Sequence, residues 1–145
     1  MVTDLNLDIE ILGAPIIREP DGLAMSSRNA YLSVTERQAA RCLFKALAAA
    51  QALVERGEVD GLRILAAARR VIADESLARL EYATLADPDT LEEVHAARRP
   101  ALLALAVQIG KTRLIDNCIL RQQSTGESRE HGPDGENLST LNSRL

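Results

Sequence analysis

The chain has 145 residues, a net charge of −4, 46% hydrophobic residues and only three aromatic side chains, Tyr31, Phe44 and Tyr82. That length holds one domain, and the scarcity of aromatics requires an aliphatic core. The acidic balance argues against a duplex-binding module with a basic face, and no apolar run is long enough to predict a membrane-spanning helix.

Met1-Val2-Thr3-Asp4 lacks the basic and apolar regions of a secretory signal, so a cytoplasmic protein is expected. In the stretch Asp8 to Ile17, Ile9, Ile11 and Gly13 alternate with Glu10 and Leu12. This predicts a short strand broken by Gly13 and Pro15. A lone strand leaves both edges unpaired, and the chain shows few partners for it, which points to a missing N-terminal part. A loop follows, Arg18-Glu19-Pro20-Asp21-Gly22-Leu23-Ala24-Met25-Ser26-Ser27-Arg28-Asn29. Pro20-Asp21-Gly22 is a turn, because Pro presets φ and Gly accepts a positive φ. Ser26 to Asn29 then supply two hydroxyls, a guanidinium and an amide. Hydroxyls, backbone N–H groups and a planar guanidinium suit phosphate oxygens. A polar loop that merely caps the next element has the same composition, and the residues leave both readings open.

Ser33 and Glu36 form a capping box, which predicts one long helix to about Glu55, ended by Gly57. Leu43, Leu47, Ala50 and Val54 share one face of it. Asp60 can cap a second helix of about 14 residues, with Leu62, Leu65, Ala66, Arg69 and Ile72 along one side. Cys42 and Cys118 read as small buried hydrophobes in a reducing compartment. His95 and His131 stand too far apart in sequence to suggest zinc.

The period changes in the second half. Leu80 to Ala86 reads as a strand with Leu80, Tyr82 and Thr84 on one face. Asp87-Pro88-Asp89-Thr90 is a turn. Leu91 to Val94 fits a short strand or a helical turn equally well. Ala101 to Ile109, nearly all apolar, reads as a strand buried on both faces. Gly110-Lys111 turns the chain into Thr112 to Leu120. The expected fold class is α+β: a three-stranded antiparallel sheet with two helices covering one face. Arg121 to Leu145 is polar and expected to be a disordered tail. Among single residues, Glu19 reads as an ion-pair partner of Arg18, and Asp116 as a hydrogen-bonder to backbone. Lys111 and Arg113 flank the turn, as a solvated hairpin first and as phosphate contacts second.

The run Gly13-Ala14-Pro15-Ile16-Ile17-Arg18-Glu19-Pro20-Asp21-Gly22-Leu23-Ala24-Met25-Ser26-Ser27-Arg28-Asn29, with Tyr31-Leu32-Ser33, resembles pantoate–β-alanine ligase. Ile109-Gly110-Lys111-Thr112-Arg113-Leu114-Ile115-Asp116-Asn117 is similar to that family's closing hairpin. Tyr82 to Leu91 resembles its first C-terminal strand and turn. The resemblance runs from about Leu5 to Leu120. It implies an ATP-dependent enzyme with a Rossmann-like N-terminal domain and a small C-terminal lid. Such an enzyme activates pantoate to an acyl-adenylate with release of pyrophosphate, and the β-alanine amine then displaces AMP. The resemblance further implies that Ser26, Ser27 and Arg28 are the catalytic grip on the ATP phosphates. By the same resemblance, Ile17 and Met25 are expected to lie against the nucleotide, partly through main-chain contacts. Mg2+ is expected on the phosphates, with no protein metal ligands in this chain.

The family's N-terminal domain, with its His-x-Gly-His-type signature and its pantoate and β-alanine sites, has no counterpart in this sequence. The implied division is residues 1–29 as the end of the nucleotide-binding domain with the hinge and phosphate loop, 30–120 as the lid, and 121–145 as the tail. The complete enzyme is expected to be a homodimer with no nucleic-acid or membrane partner. The competing expectation is a non-catalytic lid module that at best binds a nucleotide weakly.

Overall fold

A computed structural model describes residues 2 and 4–122 of the chain. A short 3-10 helix, Ser27–Tyr31, precedes three α-helices: α1 (Val34–Ala40), α2 (Cys42–Glu55) and α3 (Gly61–Ala73). Three strands follow, β1 (Ala78–Ala86), β2 (Ala101–Ile109) and β3 (Thr112–Leu120). They form one antiparallel sheet in the order β1-β2-β3. α2 packs on α3 and on β3, and α3 packs on β1, so the helices and the sheet enclose one core. The α+β expectation holds, and the core is aliphatic: Leu43, Ile64, Ile72, Leu85, Leu103 and Leu105 are fully buried. Each such side chain contributes roughly 1.5–3 kcal/mol by leaving water. Cys42 and Cys118 are free, and burial pushes both thiols up to about 11.

Capping follows the sequence closely. The Ser33 hydroxyl accepts the Glu36 N–H at 3.3 Å, and Glu36 accepts the Ser33 N–H at 2.8 Å. Asp60 accepts the Leu62 N–H at 2.9 Å and starts α3. Each bond satisfies an N–H group that the helix itself leaves unpaired.

Several features depart from expectation: α3, for one, buries Ile64, Ala68 and Ile72, while Leu62, Ala66 and Arg69 of the expected face are exposed. First, the predicted strand within Asp8–Ile17 does not form. Residues 7–17 belong to no helix or strand, and Ile9, Ile11, Leu12 and Ile17 are exposed. No strand among the described residues offers this segment a ladder, and a strand without one leaves its backbone polar groups to water. Second, the long helix is two helices. The Arg41 N–H turns to the Gln38 carbonyl at 3.4 Å, and its ψ flattens to −13°. On either side of this 3-10-like tightening, Ala39 and Ala40 of α1 and Cys42 and Leu43 of α2 are buried. Third, β1 carries a bulge. Leu80 pairs with Val107 and Tyr82 with Ala106, which leaves Glu81 as an extra residue. The bulge turns Tyr82 outward and brings Ala83 and Leu85 inward, so a simple period of two misplaces Tyr82 and Thr84. Fourth, Leu91 has φ +61° and closes a turn on the Asp87 carbonyl at 2.9 Å, and within Leu91–Val94 Glu93 pairs in an isolated antiparallel bridge with Ala86. The chain there is held by the Val94 N–H on the Leu85 carbonyl at 2.9 Å. The expected disorder of the tail concerns residues that, from 123 onward, lie outside the described ones.

The β2–β3 turn fixes the sheet against the helices. Gly110 has φ +55°, and a Cβ there would sit 1.9 Å from Glu36 Oε1. The hairpin tip therefore rests on the capping glutamate of α1, beside the 3-10 helix.

Candidate functional site

Ile17 to Met25 fold into a tight hairpin. Arg18 and Ala24 bridge across it. The Glu19 N–H donates to the Leu23 carbonyl at 2.8 Å, and the Met25 N–H to the Ile17 carbonyl at 2.9 Å. The Gly22 N–H closes the Pro20-Asp21 turn on the Glu19 carbonyl at 2.9 Å. Gly22 has φ +90°, and a Cβ there would lie 2.5 Å from the Phe44 ring. Gly22→Ala should therefore cost ~1–3 kcal/mol through backbone strain and overpacking, read as a fall in melting temperature.

Arg18 ties this hairpin to the sheet. Its Nη1 donates to the Gly22 carbonyl at 3.1 Å and to Asp116 Oδ2 at 2.7 Å, and its Nη2 donates to Asp116 Oδ1 at 3.0 Å. The guanidinium also lies 5.0 Å from the centre of the Phe44 ring. The Asp116 side chain is 2% exposed and accepts the Asn117 N–H at 2.8 Å as well. Asp116 is thus an ion-pair partner besides a backbone acceptor. Glu19 does not pair with Arg18 as expected. It accepts Asn29 Nδ2 at 2.7 Å and is bridged by Arg37, which also meets Asp21 at 3.2 Å. Asn29 Nδ2 donates to the Ala24 carbonyl at 3.0 Å, so the loop is pinned from both ends.

Hydrogen bonds from Arg37, then from Asn29, hold the Glu19 carboxyl below its ordinary pKa. A lowered folded-state pKa means the contribution is present above the unfolded value and is lost in acid. The melting-temperature difference between wild type and Glu19→Gln should be constant at neutral pH. It should vanish as pH falls from the ordinary glutamate value of ~4.3 through the lower folded value. A difference that instead grows in acid would contradict this assignment.

Beyond the hairpin, Ser26 caps the 3-10 helix, its hydroxyl accepting the Arg28 N–H at 3.2 Å. Met25, Ser26 and Arg28 line a cavity of about 230 Å³ with Asn29, and Arg113 and Asp116 of β3 lie across it. Ile17 and Ser27 lie outside this cavity, at the base of the hairpin and at the start of the 3-10 helix. Among the described residues, the Ser27 hydroxyl and the Arg28 guanidinium have no partner. Arg28, Ser26 and Met25 are exposed.

Sequence reasoning missed the Arg18–Asp116 pair. The available signal was periodicity. Thr112, Leu114 and Asp116 alternate on the buried face of β3, and a carboxylate there needs a cation. No group of three or more His, Cys, Asp or Glu among the described residues could hold a metal ion, and no described helix is long and apolar enough to cross a membrane.

The family profile described as pantoate-beta-alanine ligase matches residues 1–119. The chain belongs to this family. A pantothenate synthetase of Geobacter sulfurreducens is 54% identical over 123 residues, which cover 85% of this chain and 44% of the relative. One from Syntrophobacter fumaroxidans is 57% identical over 121 residues, covering 83% of this chain and 43% of the relative. A crystal structure of the Thermus thermophilus pantothenate synthetase superposes with a TM-score of 0.77 at 34% identity, over 82% of this chain and 43% of that one. The chain thus spans less than half the length of these members of the pantoate-beta-alanine ligase family.

Proposed function

We propose that this chain supplies the hinge loop and C-terminal lid of an ATP-dependent ligase that joins pantoate to β-alanine through a pantoyl-adenylate. The observation that carries this reading is the pairing of a rigid hairpin with free donors at its end. Arg18, Asn29 and Arg37 fix the loop, and the Ser27 hydroxyl and Arg28 guanidinium remain uncommitted among the described residues. In this reading residues 1–29 end the nucleotide-binding domain and 30–120 form the lid.

Adenylation makes pyrophosphate the leaving group, so negative charge grows on the β- and γ-phosphates. Preorganised donors aimed at that charge lower the barrier without moving a proton. Ser26, Ser27 and Arg28 fill this role, with Mg2+ arriving as part of the ATP substrate. The Ile17 N–H and Met25 carbonyl take no part in the hairpin ladder and remain for main-chain contact with the nucleotide. Pantoate and β-alanine are held by residues outside this chain.

The chain alone is therefore expected not to make pantothenate. Joined to the N-terminal portion of the Geobacter sulfurreducens relative, it should form pantothenate and AMP from pantoate, β-alanine and ATP. Turnover by the isolated chain, or a folded but inactive chimera, would count against the proposal.

A further inference from the structure

We propose that the groove between the 3-10 helix and the tip of the β2–β3 hairpin binds a polyphosphate anion, with Lys111 and Thr112 as ligands beside Arg28. The groove has a volume of about 400 Å³ and is lined by Arg28, Tyr31, Lys111, Thr112 and Arg113. Its lining holds three cations and no carboxylate. Arg28 and Lys111 have no acidic partner among the described residues. Arg113 is oriented from behind: its Nε donates to Glu81 Oε2 at 2.7 Å. Thr112 is 8% exposed, and its hydroxyl has no hydrogen-bond partner among the described residues.

Cations held together at the mouth of a groove repel one another, and a multiply charged anion relieves that repulsion. The chemistry of the lining is mixed in a useful way. Arg28 offers a planar fork to a terminal phosphate, Lys111 a compact charge, and Thr112 and Tyr31 hydroxyls to bridging or peripheral oxygens. The backbone holds these groups in place. Gly110 seats the hairpin tip on Glu36, and Ser26 fixes the start of the 3-10 helix. The Glu81 bulge in β1 presents the carboxylate that orients Arg113.

The inference rests on the phosphate-loop reading through Arg28 and adds the hairpin as the opposite wall. A monophosphate would satisfy only part of this lining, so pyrophosphate or the polyphosphate end of a nucleotide is the matching class.

The test is titration of the full isotope-labelled chain with inorganic pyrophosphate, and separately with AMP, followed by amide shifts. Pyrophosphate should move the amides of Arg28, Lys111 and Thr112, and AMP should not. Lys111→Gln should weaken pyrophosphate binding ~5-fold, as expected for one solvent-facing charge contact. Arg63→Gln, on α3 and outside the groove, should leave binding unchanged. Shifts confined to Ser26–Asn29, with Lys111→Gln binding like wild type, would overturn the hairpin's role and leave the loop reading intact. Shifts of the hairpin without Ser26 or Ser27 would support the groove and remove the loop reading. Equal binding of AMP would make this a monophosphate site and overturn the polyphosphate assignment. No shift with either probe would overturn both.

Discussion

Asp116→Ala should lower the unfolding free energy by ~3–5 kcal/mol, the cost of stranding one member of a buried ion pair. The Asp116 side chain is 2% exposed and that of Arg18 is 23% exposed, so the lower end of the range is expected. Without the carboxylate, the Arg18 guanidinium keeps only the Gly22 carbonyl and the Phe44 ring. Urea unfolding followed by circular dichroism measures the loss. Replacing both partners, Arg18→Met with Asp116→Leu, should cost less than either single change, because no charge is then left unpaired. A loss under ~1 kcal/mol for Asp116→Ala would mean that the pair behaves as a solvent-exposed one.

Arg28→Ala should leave stability unchanged and remove catalysis. Arg28 is exposed and its guanidinium makes no hydrogen bond or ion pair among the described residues, so folding does not depend on it. In the chimera with the Geobacter relative's N-terminal portion, kcat should fall ~10²–10³-fold, the usual effect of deleting one donor to a developing negative charge. Arg28→Lys should recover part of this, because an ammonium supplies the charge without the planar fork. If Arg28→Ala raised KM and left kcat intact, Arg28 would bind ground and transition states equally. Its proposed role in adenylation would then fail.

Legibility in the sequence followed the range of the interactions. Ser33 with Glu36, and Asp60 with Leu62, are local contacts, and both caps could be read from neighbouring residue types. The strands β2 and β3 were visible as apolar runs around Gly110. The break at Arg41 is not legible, because nothing in Gln38–Cys42 forbids helix. The bulge at Glu81 was invisible for a similar reason. It is a property of how β1 pairs with β2, and one extra residue inverts every later side chain. At the loop, the residue types of Ser26–Asn29 suit either an anion or a polar cap, and the contacts that hold the loop are not legible from its own residues. Glu19 stands beside Arg18 in sequence, whereas each finds its partner elsewhere, in Arg37 and in Asp116.

The Arg18–Asp116 bond joins residues 98 positions apart. Its two ends therefore leave the ribosome at opposite times. At ~5–20 residues per second, the loop waits for several seconds of further synthesis before its anchor exists. The hairpin of residues 17–25 therefore cannot gain this anchor until β3 has joined the sheet. The anchor of the loop thus arrives only with the closing strand of the sheet.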